Sequence, residues 1–422
     1  MAQATDLIDA VERAVVLAPD TRARIAARFG LPAGRPLRLG FVAGPGDAAG
    51  TFRQWLQGRH DARIPVLTYS AQFFTLAQAL GAQALVVVEQ EADTLPEHPA
   101  ITLTTLPRNR TARRLGWHLA EYGYARRLAA LMRNWRPDAV VLGDDMKPHA
   151  FHALARHTRL FLTLHNSFWP MGRPPDDWRR RARLAAMARG LAKASGAVAT
   201  SAECARQLRA LAGPDMPVAV EMPQLPAAQL RPPRRREQAR DLLYLGRIEA
   251  DKGVFDLLAA FGALAQRFPQ ARLTFAGTGS AAGALEAAIA AHPAAAQIRY
   301  AGLLDAGGVH AALAGADLLV CPTRSAFREG LALVVLEAAA QGVPALASSV
   351  VPAAETAGAA CATFPADDRA ALQDMLARLM GDDAAFATLA RATGVLRPQM
   401  TDRSLGWGSC LARVLAGQAD GA

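Results

Sequence analysis

A rhythm that occurs twice constrains this chain most: short apolar runs alternate with segments of helical periodicity, halt at a proline- and arginine-rich stretch, then begin again. In the first half the expected strands are Leu37–Ala43, Val66–Tyr69, Ala84–Val88, Ala139–Leu142, Leu160–Leu164, Val198–Thr200 and Val218–Val220. Helical patterns fall at Gln72–Leu80, Gly116–Trp135, Pro148–Arg156, Asp177–Ala194 and Ala202–Ala212. Apolar runs separated by helices imply a parallel sheet covered on both faces. Pro223–Arg240 holds Pro226, Pro232, Pro233 and the run Arg234-Arg235-Arg236, and reads as a linker. Strands at Leu242–Leu245, Arg272–Ala276, Ile298–Ala301, Leu318–Cys321, Val343–Ala347 and Ala360–Phe364 then restart the alternation, with a helix at Leu331–Gln341. The predicted fold class is α/β, with two doubly wound, Rossmann-like domains. They span residues 1–222 and 241–400, joined by a linker at 223–240, and a tail helix falls near Thr401–Ala416. A chain of 422 residues suits two such cores.

Composition removes several function classes. Cys204, Cys321, Cys361 and Cys410 form no C-x-x-C pair and read as buried thiols in a reducing compartment. Met1–Ala18 carries Asp6, Asp9 and Glu12 in an amphipathic pattern, unlike a signal peptide. No apolar run is long enough to span a bilayer. The expected location is therefore cytoplasmic, with peripheral contact at the inner membrane face as an open alternative. Net charge is +10, and of the 47 basic residues only Lys147, Lys193 and Lys252 are lysine. Aromatics are not interleaved with the basic clusters, which argues against nucleic-acid binding. The basic stretch Trp178–Arg183 reads as a solvated helix face, or else a surface for anionic lipid. Asp-x-Asp is absent, and Asp144-Asp145 and Asp176-Asp177 are adjacent pairs that would point to opposite faces of a strand. No metal site and no cofactor are expected.

Candidate chemistry gathers in the second half. Gly246-Arg247-Ile248-Glu249-Ala250-Asp251-Lys252-Gly253 lies between a strand end and a helix start, where open α/β sheets bind ligands. Arg247 and Lys252 place two cations there, suited to a diphosphate. Gly277, Gly279 and Gly283, like Gly44, Gly46 and Gly50, mimic a dinucleotide fingerprint. Neither set has the acid that would hold a ribose at the end of the next strand, so both read as close-approach turns beside a ligand. Glu329 precedes a helix and Glu337 lies within it. Gly330 allows close approach, and the amides of Leu331, Ala332 and Leu333 would open toward phosphate at the helix N-terminus. Taken alone, that spacing fits a loop acid and a solvated helix acid equally well. In the first half, the strand Leu160–Leu164 ends in His165-Asn166. Asp144, Asp145, Lys147 and His149 follow another strand end and are candidates for acceptor contact, or else a polar loop.

Together these motifs resemble the group-1 (family 4) retaining glycosyltransferases of the GT-B fold. The resemblance rests on G-R-x-x-x-x-K-G at Gly246–Gly253, F-A-G-x-G at Phe275–Gly279, E-x7-E at Glu329–Glu337 and the following Leu336–Ser348. The strand ending in His165 and the segment Val198–Glu203 also look like that family. Glu221-Met222-Pro223 stands where the family has an asparagine-glycine pair.

The resemblance implies transfer of a sugar, with retention, from a nucleoside diphosphate sugar to a saccharide or lipid-linked acceptor, in surface polysaccharide or glycolipid synthesis. The second domain would bind the donor and the first the acceptor, with the tail helix crossing back onto the first. Arg247 and Lys252 would neutralise the departing diphosphate, Glu329 would bind donor-sugar hydroxyls and Glu337 the ribose. Gly246, Gly277, Gly279, Gly330, Leu331, Ala332 and Leu333 would line the donor. Gly44 and Gly46 would face its phosphates, and His165 would contact the transferred sugar. A nucleotide-sugar epimerase, a sugar phosphorylase and a non-catalytic nucleotide-sugar sensor are the alternatives on this fold.

Overall fold

The computed structural model describes residues 15–60, 64–90, 94–109, 114–226, 230, 234 and 236–418. Most of the expected helical pattern at Met1–Ala18, and parts of the expected linker, lie outside the described residues. The chain folds into two units. One takes residues up to Asn166, 175–224 and from Asp402 onward; the other takes 167–174 and 225–401.

In the first unit, strands β1 (Arg38–Val42), β2 (Gln83–Val88), β3 (Ile101–Thr105), β4 (Ala139–Gly143), β5 (Arg159–Leu164), β6 (Ala194–Ala199) and β7 (Val218–Val220) form one sheet in the order β3-β2-β1-β4-β5-β6-β7. Every pairing is parallel; Phe41 of β1 sits between Val86 and Val141. Parallel strands joined by helices leave both sheet faces covered, so β4 is apolar from Ala139 to Leu142 and buried throughout.

The helices Thr21–Phe29 and Ala48–Leu56 and the strand β3 were not foreseen. Asp47 starts the helix Ala48–Leu56 by accepting the Gly50 amide (2.7 Å). Gly50 is thus a helical residue beside its cap rather than the end of a ligand loop; a Cβ there would meet the Asp47 carboxylate. Val66–Tyr69 is not a strand. The Thr68 hydroxyl accepts the Ala71 amide (3.1 Å) and starts the helix Tyr69–Leu80, so local capping overrides a short β-branched run.

The tail helix spans Trp407–Leu415 and packs within this first unit. Trp407 is 1% exposed, lies 5.9 Å from the Phe41 ring and 5.3 Å from Tyr69, and donates from Nε1 to the Thr163 hydroxyl (3.0 Å). Gly196 of β6 permits this approach, because a Cβ there would fall 2.4 Å from Val414.

In the second unit, β8 (Asp241–Leu245), β9 (Arg272–Ala276), β10 (Ile298–Tyr300), β11 (Leu318–Cys321), β12 (Ala345–Ser348) and β13 (Cys361–Phe364) pair in the order β10-β9-β8-β11-β12-β13, all parallel. The core forms around Leu257, Phe261, Phe275, Leu318, Leu346 and Phe386. Strand order reverses between β8 and β11, the position at whose carboxyl ends open α/β sheets bind ligands. The segment 167–174 is held to this unit by Arg173–Asp367 (3.3 Å) and by Arg328 donating to the Phe168 carbonyl (3.4 Å).

One part of the expected linker is docked. Arg236 is 5% exposed and donates to six carbonyls: Arg234, Leu313, Ala314, Ala316, Gln341 and Gly342, at 2.7–3.4 Å. Five of these lie at or just past the C-termini of the helices Ala306–Gly315 and Leu333–Ala340, where orphan carbonyls carry the negative end of the dipole. Arg234 pairs with Asp317, which also accepts the amides of Arg240 (3.0 Å) and Asp241 (2.9 Å). The stretch reads as a linker in sequence, yet helix ends that no sequence pattern reveals draw part of its arginine run inward.

Among the described residues no helix is long and apolar enough to cross a membrane. The helix Trp178–Leu191 begins with an Asp177 cap on the Arg180 amide (2.8 Å), and Trp178 to Arg183 are exposed.

Candidate donor site at the strand reversal

The two loops flanking the reversal in the second unit come from the predicted motifs. Gly246–Gly253 leaves β8, and Pro322–Leu331 leaves β11. The first loop is held by Tyr244, whose hydroxyl donates to the Arg247 carbonyl (2.6 Å), and by Ile248 N–H to the Thr278 carbonyl (2.9 Å). Glu249 accepts the Ser280 amide (3.0 Å) and its hydroxyl. The glycines serve backbone against backbone. A Cβ on Gly277 would fall 1.8 Å from the Gly246 oxygen, on Gly279 2.3 Å from the Ile248 oxygen, and on Gly253 1.9 Å from the Pro322 oxygen. Loop-on-loop packing therefore explains them without a ligand. In the first unit Gly44 has φ +71° and no atom that a Cβ there would meet, as expected of an open turn.

Lys252 pairs with Glu329, with side chains 13% and 10% exposed, and the Thr323 hydroxyl lies 3.5 Å from the same carboxylate. The Phe327 ring lies under both cations, 4.1 Å from Lys252 Nζ and 5.3 Å from the Arg247 guanidinium. Arg247, Lys252 and Glu329 thus form one cluster with a residual positive charge; Lys252 and Glu329 are partly desolvated and restrained before any ligand arrives, whereas Arg247 is exposed. Phe327 and Thr323 had no role assigned from sequence. Phe327 lies two residues before Glu329, but its use as a platform depends on the fold.

The helix after Glu329 begins at Leu333 rather than Leu331. Ala332 precedes it with φ 66° and ψ 62°, a left-handed conformation that costs an L-residue about 1–2 kcal/mol. This turn leaves the amides of Leu331, Ala332, Leu333 and Val334 without acceptors among the described residues. Glu337, one turn into the helix, is 8% exposed and has no hydrogen-bond partner there, and burial pushes its carboxyl up to about 7. A buried carboxyl without a partner is costly to ionise.

In the first unit, His165 and Asn166 give their amides to Asp144 (3.2 and 2.8 Å). The His165 ring lies 4.7 Å from Tyr69, and its Nε2 is 3.4 Å from the Thr163 hydroxyl. Burial holds its imidazole below the usual value, opposed by Asp144, so it is neutral at pH 7. Glu221, the residue that departs from the family pattern, accepts the Tyr69 hydroxyl, and burial raises its carboxyl to about 8. Tyr69, Glu221 and Trp407 around His165 were not singled out from sequence as site residues, because they come from three distant chain segments.

Each of the four acceptor candidates has a partner within the first unit. Asp144 holds the His165 turn, Asp145 pairs with Arg108 (2.7 Å), Lys147 sits 4.7 Å over Trp117, and His149 contacts the Glu121 carbonyl (3.3 Å). Arg108 also pairs with Glu121 (2.7 Å) and Glu89 (3.4 Å) in a buried network.

Two doubly wound parallel units, with a cationic loop and an open helix N-terminus at the reversal of the second, define the GT-B class of protein. A sequence profile described as "Glycosyl transferases group 1" matches residues 228–392, and one described as "Glycosyltransferase Family 4" matches 69–220. The chain belongs to the group-1, family-4 glycosyltransferases. A glycogen synthase of Mycobacterium tuberculosis (strain ATCC 25618 / H37Rv) is 30% identical over 280 residues, 62% of this chain and 64% of that relative. The match therefore spans less than two thirds of the curated relative's length.

Among solved structures, sucrose-phosphate synthase from Thermosynechococcus elongatus superposes with a TM-score of 0.63 at 16% identity, covering 90% of this chain and 97% of the other. HepE of Anabaena, solved with UDP and glucose, gives 0.61 at 15% identity, covering 90% and 100%. At such identities the likeness concerns the fold.

Proposed function

We propose that this protein transfers a glycosyl group, with retention, from a nucleoside diphosphate sugar to an acceptor hydroxyl, and that the second unit binds the donor. The carrying observation is the Arg247–Lys252–Glu329 cluster beside free amides at the reversal of strand order. The reaction breaks the bond between the anomeric carbon and the diphosphate oxygen, forms one to the acceptor oxygen, and releases the acceptor proton. Negative charge grows on the departing diphosphate, and preorganised cations and amides stabilise that charge most where water is excluded. This charge is assigned to Arg247, Lys252 and the amides of Leu331–Leu333. Glu329 is assigned to sugar hydroxyls, Glu337 to the ribose, and His165 to the transferred sugar. The first unit is assigned the acceptor, a saccharide or lipid-linked saccharide, in surface polysaccharide or glycolipid synthesis. The neighbour crystallised with UDP-glucose makes UDP-sugars the first donors to assay.

The test is incubation with a panel of nucleotide sugars and an acceptor extract. A transferase releases nucleoside diphosphate only when acceptor is present. Sugar interconversion without nucleotide release would identify an epimerase, and binding without any turnover a sensor; either result overturns the reading.

Glu337 gives a separate expectation. Its carboxyl, raised from 4.5 to about 7, is mostly protonated below that pH in the free protein. A ribose diol donates to the ionised form, so the proton must leave on binding. Nucleotide-sugar affinity should fall about tenfold per pH unit below about 7 and level off above it. Using the intact nucleotide sugar avoids titration of a terminal phosphate. In Glu337→Gln the affinity should be weak and flat with pH; a flat profile in the native protein, by calorimetry, refutes the ribose assignment. Stability runs the other way. The unliganded fold loses stability from this group as pH rises from about 4.5 through about 7, because the ionised form must then be buried.

A further inference from the structure

The first unit carries a groove of about 700 Å³ between the helices Arg114–Trp135, Pro148–Leu154 and Trp178–Leu191. Arg126, Arg133, Arg156 and Arg189 line it, and none of the four has an ion-pair or hydrogen-bond partner among the described residues. His149, His152 and His157 line it as well, and no acid does. The charge imbalance extends through the supporting elements. The three helices contain a single acid, Glu121, which is buried and faces Arg108 in the network described above.

The arrangement is periodic rather than scattered. Tyr122, Arg126, Ala129 and Arg133 recur at helical spacing on one face of the first helix, while Tyr124, Leu128 and Met132 on its other face are buried. His149, His152 and Arg156 follow the same spacing along the second helix and just past its end. Ala129, Ala130, Ala153 and Ala186 keep the floor low, so that long side chains surround a depression instead of filling it. Surface charges in soluble proteins are usually interspersed in sign, because like charges repel one another. Four guanidiniums with no counter-charge around one concavity match an anion with several oxygens, which arginine binds in bidentate fashion.

We propose that this groove is a second ligand site, taking a molecule that bears a pyrophosphate or clustered phosphate groups. It belongs to the first unit, whereas the proposed donor site belongs to the second, and it does not depend on that reading. The phosphates belong either to a soluble metabolite or to a lipid headgroup. Leu119, Tyr122 and Trp178, exposed by 71%, 53% and 73% on two of the same helices, supply the apolar surface a lipid would need.

The experiment uses the full chain carrying Lys252→Ala, so that pyrophosphate does not report on the donor site. Inorganic pyrophosphate is titrated by calorimetry. Phosphatidylcholine vesicles, with and without phosphatidylglycerol, are tested by sedimentation at low and high salt. Adding Arg133→Ala, Arg156→Ala and Arg189→Ala should weaken binding at least about tenfold without lowering Tm, since all three are exposed. Saturable pyrophosphate binding lost in this variant supports a soluble ligand. Salt-sensitive binding to the anionic vesicles, lost in the same way, supports a lipid. If neither probe binds, or if binding survives the three substitutions, the proposal fails. In the otherwise native chain the triple variant should keep its affinity for nucleotide sugar, so the two sites are tested separately.

Discussion

Replacing Lys252 by alanine should lower the rate of glycosyl transfer about 10²–10³-fold while leaving the fold intact, the usual loss when one preorganised group stabilising developing charge is removed. The ammonium is restrained before the donor arrives, by Glu329 and by the Phe327 ring beneath it. It is also 13% exposed, so its field is less screened than that of a surface lysine. Because its effect grows with charge on the departing diphosphate, kcat should fall more than KM rises. A structural ion pair would behave differently: Lys252→Ala would then lower Tm chiefly by stranding Glu329, and Glu329→Gln in the same chain would restore both stability and activity. Under the catalytic reading the double variant keeps its Tm and stays inactive. Steady-state kinetics and thermal unfolding on the two single variants and the double variant decide between these outcomes, and recovery of activity in the double variant ends the assignment.

Arg236→Ala should destabilise the second unit by about 3–5 kcal/mol, the range for removing one partner from a buried, fully hydrogen-bonded charge. Six carbonyls lose their donor at once, and five of them sit where two helices end. Burial, and secondarily Arg234, lowers the guanidinium to about 10, so it stays charged across the working pH range. Arg236→Lys should recover only part of the loss, because a single ammonium cannot reach two helix ends with a planar fork. A chain of two units need not unfold in one step, so the readout must separate them. Five of the six tryptophans lie in the first unit, which leaves its fluorescence transition in place while the calorimetric transition of the second moves down. An unchanged calorimetric profile would show that the contacts of Arg236 contribute no net stability.

The Arg247–Lys252–Glu329 cluster was legible because its parts lie in short runs tied to strand ends. Arg247 and Lys252 share one loop, and Glu329 and Gly330 are adjacent. Where the reading went astray, long-range partners had intervened. Gly277 and Gly279 look like ligand-loop glycines in sequence, yet each is explained by a neighbouring backbone oxygen from the Gly246–Gly253 loop. Arg236 looks like linker charge until helix ends from residues 313–316 and 341–342 close around it. The turn at His165 draws Tyr69, Glu221 and Trp407 from segments far apart in the chain.

Amino-acid order alone determined the doubly wound alternation, since apolar runs and helical periodicity are local consequences of burial on sheet and helix faces. It also determined which loops carry charge at strand ends. Tertiary structure alone decided strand order, and with it the reversal between β8 and β11 that brings Lys252 onto Glu329 across a gap of 77 residues. It likewise decided the left-handed turn at Ala332 and the isolation of Glu337. The physical reason is that periodicity records which side of an element is buried, whereas the partner that buries it, and the field it exerts, come from residues arbitrarily distant in the chain.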